Sequence, residues 1–447
     1  MNTLSFTAPE LWRIPQRASP RSADAVAELC FVVFLLLIFI GLKPFAIRNL
    51  AALAPGDSGD GAGNIWRQVC YLATFAAIVT SAWRCRGLSA FRALPITLVL
   101  LLGWCLVTSF WAPTPGVSLR RAVLEIVITL SAVLGVQTIG AERSLILLRN
   151  VLGAVLIINF ASIPLIHQAV HLPGEADPGL IGNWRGLYYH KNVAGAVSAI
   201  TALLFFFEAL SRRRAMLWLL FAGAVVFTIM TRSKTSIGLL PVAVTAGLLF
   251  RWTARHSMER WIVLLAGGAL LAGAGLAVIV DFSAVTRFFT DPTEFTGRVE
   301  IWRAELAFIR DHPLLGAGFG SFADTGALSP LYNYVSDKWV QGISHGHNGY
   351  LQVLMTIGGI GFALAMLAFI VQPALGLRQA DRHGNRNFFA PLCAIFVFSV
   401  LHNFVESDFL ESDGPAWVAF LLMIGCLASI TNVCAEPATR RATWNVP

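Results

Sequence analysis

Residues 344–352 read SHGHNGYLQ, which sets two histidines, His345 and His347, one residue apart in a chain that has nine. Three chemistries suit such a pair. A metal site needs a third and usually a fourth ligand. His312, His402, Asp337 and Glu406 could supply them, but in no recognisable ligand spacing, so no metal or other cofactor is expected. A histidine capping the apolar run that follows is the second reading. General-base catalysis is the third and preferred one, because imidazole, with an ordinary pKa of about 6.5, is largely neutral and able to take a proton from a hydroxyl.

A base needs something to act on, and the cations give the clue. Arg120 and Arg121 lie at the start of an apolar run, and Arg185 and Lys191 flank GLYYHKNVAG. Arg232 and Lys234 sit in TRSKTS between two runs with almost no loop, and Arg298 opens a helix-like segment. A cation at a span end is costly unless it is paired, snorkels to the interface or has a function. Two cations among hydroxyls in a tight turn suit a phosphate-type anion, held by arginine forks and hydroxyl donors. Arg298 adds the partial positive charge of a helix N-terminus. The implied ligand is an anionic diphosphate presented from the membrane plane. In the turn HNFVESDFLESDGPAW, the acids read as a solvated loop, except that Glu406 is close enough to a span end to orient a sugar or a base. The glycines of GAGFG read as a turn, since no strand precedes them and no Gly-Lys-Ser/Thr follows.

The elements that must position these residues are membrane spans. Of the 447 residues, 56% are hydrophobic and 13% charged, and the net charge is +8. The mean hydropathy is +0.68. Such a composition excludes an ordinary soluble domain and gives no sign of nucleic-acid binding. The seven cysteines lie mostly in apolar runs, which argues against a disulfide scaffold. Runs long enough for a bilayer fall near 26–42, 66–83, 93–111, 122–140, 145–166 and 192–210, then near 215–231, 236–250, 261–280, 349–374, 388–404 and 415–433. The expected fold is therefore an all-α polytopic membrane protein with about twelve transmembrane helices. The runs are continuous rather than alternating, which excludes a β-barrel reading.

Arginine clusters such as Arg84, Arg86 and Arg92, or Arg212, Arg213 and Arg214, recur at every second connection. The positive-inside rule then puts both termini in the cytoplasm. The expected layout is one integral-membrane domain: a tail over 1–28, spans one to nine within 29–280, a periplasmic loop over 281–347, three spans within 348–433, and a tail over 434–447. The first apolar run reads as a retained span rather than a cleaved signal. Within the loop, Val299, Trp302, Leu306 and Ile309 have helical spacing, so 297–311 is expected to be a short amphipathic helix on the membrane, with Thr296 as its N-cap.

The motifs TGRVEIW, HPLLGAGFGSF and HNGYLQVLMTIGGIG resemble the shared core of the O-antigen ligase and polymerase family. GLYYHKNVAG, TRSKTS and HNFVESDFL are similar to its exopolysaccharide-polymerisation branch. The likeness runs from about residue 180 to residue 420; the N-terminal third shares only a succession of spans. The resemblance implies a metal-independent glycosyltransferase of the bacterial inner membrane, acting on the periplasmic side. Its expected partners are an undecaprenyl-diphosphate-linked oligosaccharide, a glycan or lipid acceptor and membrane lipids, with a chain-length regulator as a further candidate.

Carried over by motif, the essential histidine falls on His347 and the essential arginines on Arg232 and Arg298. Lys234, Arg120, Arg121, Arg185 and Lys191 are the accompanying candidates for the diphosphate. His345, Asn348, Tyr350, Glu406 and His190 are candidates for the glycan or acceptor. His345 lies one step outside the HNxYL pattern, and Lys234 stands where many ligases have no lysine. Polymerisation of surface polysaccharide or exopolysaccharide is the expected reaction, and ligation to lipid A core is the alternative. A lipid-linked glycan flippase is the rival of another class. It is disfavoured because the polar residues gather at one side rather than at mid-span.

Overall fold

The computed structural model describes residues 21–46, 65–173, 178–252, 298–323, 325, 328–335, 346–380 and 385–435. It is helical throughout, and among the described residues the only β pairing is an isolated bridge between Val170 and Trp184. The helices are α1 (Arg21–Phe39), α2 (Ile65–Arg86), α3 (Ile96–Val107), α4 (Pro115–Ile139), α5 (Ala141–Leu165), α6 (Lys191–Arg212), α7 (Ala215–Met230) and α8 (Lys234–Trp252). After a stretch outside the described residues come α9 (Arg298–Asp311), α10 (Gly349–Met366), α11 (Gln372–Ala380), α12 (Arg386–His402) and α13 (Pro415–Ala435). Every apolar run of the sequence lies on one of these helices except 261–280, which falls outside the described residues, as do Thr296 and His345.

Among the described residues, five segments are long and apolar enough to cross a membrane: Pro115–Ile139, Ala141–Leu165, Lys191–Arg212, Lys234–Trp252 and Gly349–Gln379. Shorter apolar helices accompany them. The chain is an integral membrane protein whose core is aromatic-rich. Phe31 and Phe34 of α1 and Trp417 and Phe420 of α13 are almost wholly buried in it. Phe369, in the stretch joining α10 to α11, packs edge-on to Trp417 with ring centroids 4.9 Å apart.

Local chemistry sets the helix ends. Pro115 occupies the first turn of α4, where its missing N–H is no loss. Asn348 caps α10, its Oδ1 accepting from the backbone N–H groups of Tyr350 and Leu351 at 3.0 Å each. Gly316, Gly318 and Gly320 of GAGFG all have positive φ, and they form the turn after α9. The turn docks on a kink in α10 at Gly358, with Ala317 N–H donating to the Met355 carbonyl at 2.9 Å.

Helix α9 differs from its expected register. Its buried face is Ile301, Ala304, Glu305 and Phe308, packed with Phe322, Leu331 and Met355 against α10, while Leu306 is 52% exposed. The apolar stripe visible in the sequence is thus the neighbour of the one that the fold buries. Residues 301, 304, 305 and 308 are spaced i, i+3, i+4, i+7 along one helical face, and Leu306 falls outside it.

Candidate functional site

His347 sits in the turn that feeds α10, with a φ of 52°. A left-handed residue other than glycine is strained, by about 1–3 kcal/mol, and persists only when its surroundings fix it. They do so here. Asn348 Nδ2 donates to the Phe404 carbonyl at 3.0 Å. Gly349 N–H donates to the carbonyls of Asn403 at 2.8 Å and Glu406 at 2.9 Å. The start of α10 is thereby bolted to the turn that ends α12.

The same bolt brings a carboxylate to the imidazole. His347 Nδ1 lies 3.2 Å from Glu406 Oε2. The other carboxylate oxygen of Glu406, Oε1, accepts from Asn192 Nδ2 at 2.7 Å. Glu406 is buried, whereas the His347 side chain keeps 23% of its surface exposed. If Nδ1 donates to this carboxylate, Nε2 carries the lone pair, which is the tautomer a general base needs.

Beside them stands the start of α6. His190 is its N-cap, with Nδ1 accepting from Asn192 N–H at 3.2 Å. His171 Nε2 accepts from Lys191 N–H at 3.2 Å, and the two histidine rings are 5.6 Å apart. Burial pushes the His190 pKa down to about 3; the positive neighbours add to this and Glu406 opposes it. His190 is therefore neutral and committed to capping, so its lone pair serves the helix. Among the described residues, no group of His, Cys, Asp and Glu is arranged to hold a metal ion.

The TRSKTS turn joins α7 to α8. Arg232 has a φ of 51°, and its N–H donates to the Ile229 carbonyl at 2.9 Å. Arg232 and Lys234 are exposed, and their side chains have no hydrogen bond or ion pair among the described residues. Between and behind these cations, Thr231, Ser233 and Ser236 are buried. Thr231 Oγ1 donates to the Thr228 carbonyl at 2.6 Å, and Ser233 Oγ donates to Ser236 Oγ at 3.2 Å. The expectation that the hydroxyls of this turn help to hold an anion is thus corrected for these three. Their oxygens point inward and brace the turn.

The brace continues into the histidine cluster. Ser236 Oγ lies 3.5 Å from His402 Nε2, and His402 Nδ1 lies 2.6 Å from Asp408 Oδ2. Asp408 N–H donates to Asn403 Oδ1 at 3.0 Å, and Asn403 receives Gly349 N–H on its carbonyl. Close approach makes this possible: a β-carbon at Gly195 of α6 would sit 2.7 Å from Ser233 Cβ. One continuous polar network therefore links the cation turn to Gly349, two residues after His347.

The remaining candidates divide. Arg185 is 1% exposed, with Nε donating to the Gln168 carbonyl at 2.7 Å and Nη1 to the Tyr189 carbonyl at 3.3 Å. It organises the backbone before α6 and is buried there. Arg121 donates to the carbonyls of Gly320 and Ala323, tying α4 to the segment after α9. Arg120 and Lys191 are half-buried. Tyr350 donates to the Val400 carbonyl at 2.8 Å and packs on Phe404, so its hydroxyl is engaged in helix packing. Arg298 begins α9, but its side chain lies outside the described residues.

The acidic turn after α12 departs furthest from expectation. It is folded inward rather than solvated. Besides Glu406 and Asp408, Asp413 accepts from Arg67 Nε at 2.9 Å and from the Tyr71 hydroxyl at 3.0 Å. Ser412 N–H donates to Glu125 at 2.7 Å, and Glu125 is wholly buried and also receives Trp417 Nε1 at 2.8 Å. Sequence reasoning passed over Asn192, Asn403 and Asp408 as site-builders and weighed His402 only as a metal ligand. The only signal for them was their place in the quoted motifs NVAG and HNFVESDFL.

Comparison with known proteins fits this geometry. A family model described as O-Antigen ligase matches residues 215–366. The exopolysaccharide production protein ExoQ of Rhizobium meliloti (strain 1021) is 21% identical over 292 residues, covering 59% of this chain and 61% of that protein. A protein of Rickettsia bellii (strain RML369-C), provisionally designated a polysaccharide ligase, is 31% identical over 112 residues, covering 25% of this chain and 26% of that one. The matched segment holds Arg232, Lys234, Arg298 and His347, whereas Asn192, His402, Glu406 and Asp408 come from outside it. Residues 215–366 are thus similar to the O-antigen ligase family, within a helical membrane protein whose other segments supply the partners of His347.

Proposed function

We propose that this protein is a metal-independent membrane glycosyltransferase that polymerises surface polysaccharide or exopolysaccharide from an undecaprenyl-diphosphate-linked oligosaccharide. The observation that carries the reading is His347 Nδ1 against Glu406 in a strained, half-open turn. An acceptor hydroxyl gives its proton to Nε2 of His347 as its oxygen bonds to the anomeric carbon. The bond from that carbon to the diphosphate oxygen breaks, and its electron pair leaves with the lipid diphosphate. Glu406 stabilises the imidazolium that forms. Arg232 and Arg298, assisted by Lys234, take the charge of the leaving group. Direct attack inverts the anomeric configuration.

The site faces the periplasm of the inner membrane in this reading, with both termini cytoplasmic, as the arginine distribution supports. A second reading, ligation of the glycan to lipid A core, is favoured by the description of the matched family; the name of the Rhizobium relative favours exopolysaccharide. A deletion strain separates them. Loss of long exopolysaccharide or of polymerised lipid-linked chains marks a polymerase, whereas lipopolysaccharide without glycan beside intact lipid-linked polymer marks a ligase. Complementation by His347→Ala is expected to restore about 10²-fold less polymer or less than that, in line with loss of a general base. Normal polymer from that variant would overturn the catalytic assignment.

A further inference from the structure

Glu305 is a carboxylate in an apolar place. It lies on the buried face of α9 between Ile301, Ala304 and Phe308, is 1% exposed, and its Oε2 has no hydrogen-bond partner among the described residues. Its carboxyl rests against the α-carbon of Gly346, the residue immediately before His347. A β-carbon at 346 would overlap it. The rest of Gly346 is held too: Trp302 Nε1, one turn earlier on the same face of α9, donates to the Gly346 carbonyl at 2.8 Å. Gly346 N–H donates to Gln352 Oε1 at 3.3 Å. Carbonyl, amide and α-carbon of this one residue are thus gripped by α9 on one side and α10 on the other.

The grip has a purpose at its neighbour. His347 is in the left-handed region, and the hydrogen bonds of Asn348 and Gly349 constrain only its C-terminal side. The constraint on the N-terminal side is Gly346, and so α9. The helix that carries position 298 in its first turn is by the same contacts registered to the histidine, since positions 298, 302 and 305 follow one helical face.

We propose that Glu305 is a positioning residue that, with Trp302, fixes the turn presenting His347 and holds α9 in register with it. The inference deepens the glycosyltransferase reading and rests on it for its consequence in activity. The carboxyl does this as a neutral group: burial raises its pKa to about 8. Among the described residues, burial is the cause of this shift and no charged group offsets it. Glu300, Arg303 and Arg310 of α9 are exposed, and the described titratable groups across the contact are His347, next to Gly346 in the chain, and its partner Glu406. Ionisation above that pH puts an unpaired negative charge against the Gly346 backbone, which drives the carboxyl out or loosens the turn.

The test reads the turn directly. The full chain in nanodiscs is carbethoxylated with diethyl pyrocarbonate, and the rate at His347 is divided by that at exposed His167, from peptide mass spectrometry. Glu305→Gln keeps the neutral shape and is expected to match wild type at pH 7. Glu305→Ala is expected to raise the ratio about threefold or more, as local opening becomes easier. From pH 7 to pH 9 the wild-type ratio is expected to rise and that of Glu305→Gln to stay level. An unchanged ratio in Glu305→Ala, or a pH response shared by wild type and Glu305→Gln, overturns the proposal. Polymer synthesis at the two pH values is the second readout, with an alkaline loss in wild type that Glu305→Gln lacks. Should His347 prove not to be the base, activity will ignore these variants while the labelling still reports the turn, so the two failures are distinguishable.

Discussion

His347 is defined by what its Nδ1 touches. A histidine next to a buried carboxylate can be a base, a proton relay or half of a structural pair, and exposure separates these roles. The pair His402–Asp408 is tighter, at 2.6 Å, but His402 is 1% exposed and braces helices. The pair His347–Glu406 is looser, at 3.2 Å, and its ring reaches the surface. Replacing Glu406 by Gln keeps the shape and one of the two accepted hydrogen bonds but removes the charge that stabilises imidazolium. The expected result is a fall in the rate of glycan transfer of about tenfold to 10²-fold, with little change in apparent donor affinity. A Glu406→Gln variant with raised KM and unchanged kcat would instead make Glu406 a ligand of the sugar. The candidacy of His347 was legible from its motif and from imidazole chemistry. Its partner was legible only as a candidate, because nothing in the chain between 347 and 406 sets the distance between them.

At the scale of elements, the cation turn between α7 and α8 shows how hydroxyls can be misassigned. TRSKTS reads as a polar anion cradle, yet helix geometry sends Thr231, Ser233 and Ser236 into the bundle and leaves Arg232 and Lys234 outside. The division follows from packing: the turn is clamped between α6, at Gly195, and the end of α12, at His402. His402→Gln should therefore weaken the turn without touching the reacting atoms. Loss of the His402–Asp408 bond is expected to cost about 1–3 kcal/mol of stability, read by thermal unfolding in detergent. In glycan transfer it should raise KM for the lipid-linked donor more than it lowers kcat. A selective fall in kcat would place His402 in the chemistry. The glycine turn GAGFG and helix α9 were both legible, from turn composition and from 3.6-residue periodicity. The face that α9 buries was not, since two adjacent stripes are apolar and only α10 chooses between them.

For the whole molecule, charge is sorted by partner as well as by side. The acidic turn after α12 contacts α2, α4, α6 and α10 through Asp413, Ser412, Glu406 and Gly349, so it holds the bundle together at one end. Histidine burial in that region makes folding sensitive to pH. The folded-state pKa of His190, about 3, lies below the ordinary value of 6.5, so the unfolded chain binds more protons between those values. The stability owed to neutral His190 is complete above pH 6.5 and is lost as pH falls towards 3. His190→Asn retains an N-cap without a titrating ring. The difference in Tm between wild type and His190→Asn should therefore shift against wild type on going from pH 7 to pH 4. A difference independent of pH would show that His190 titrates normally.

Composition and periodicity by themselves determined that this chain is a helical membrane protein, because the burial of apolar runs in a bilayer depends on local hydrophobicity and length alone. Motif chemistry singled out His347 and Arg232 as candidates, since side-chain type limits which groups can take a proton or hold an anion. Only the tertiary structure decided that Glu406 meets the imidazole while Asn192 holds its other oxygen, and that Arg185 is a buried clamp. It alone showed Glu305 lying under Gly346. These contacts join residues far apart in sequence, and their distances are set by helix packing, which no local pattern encodes.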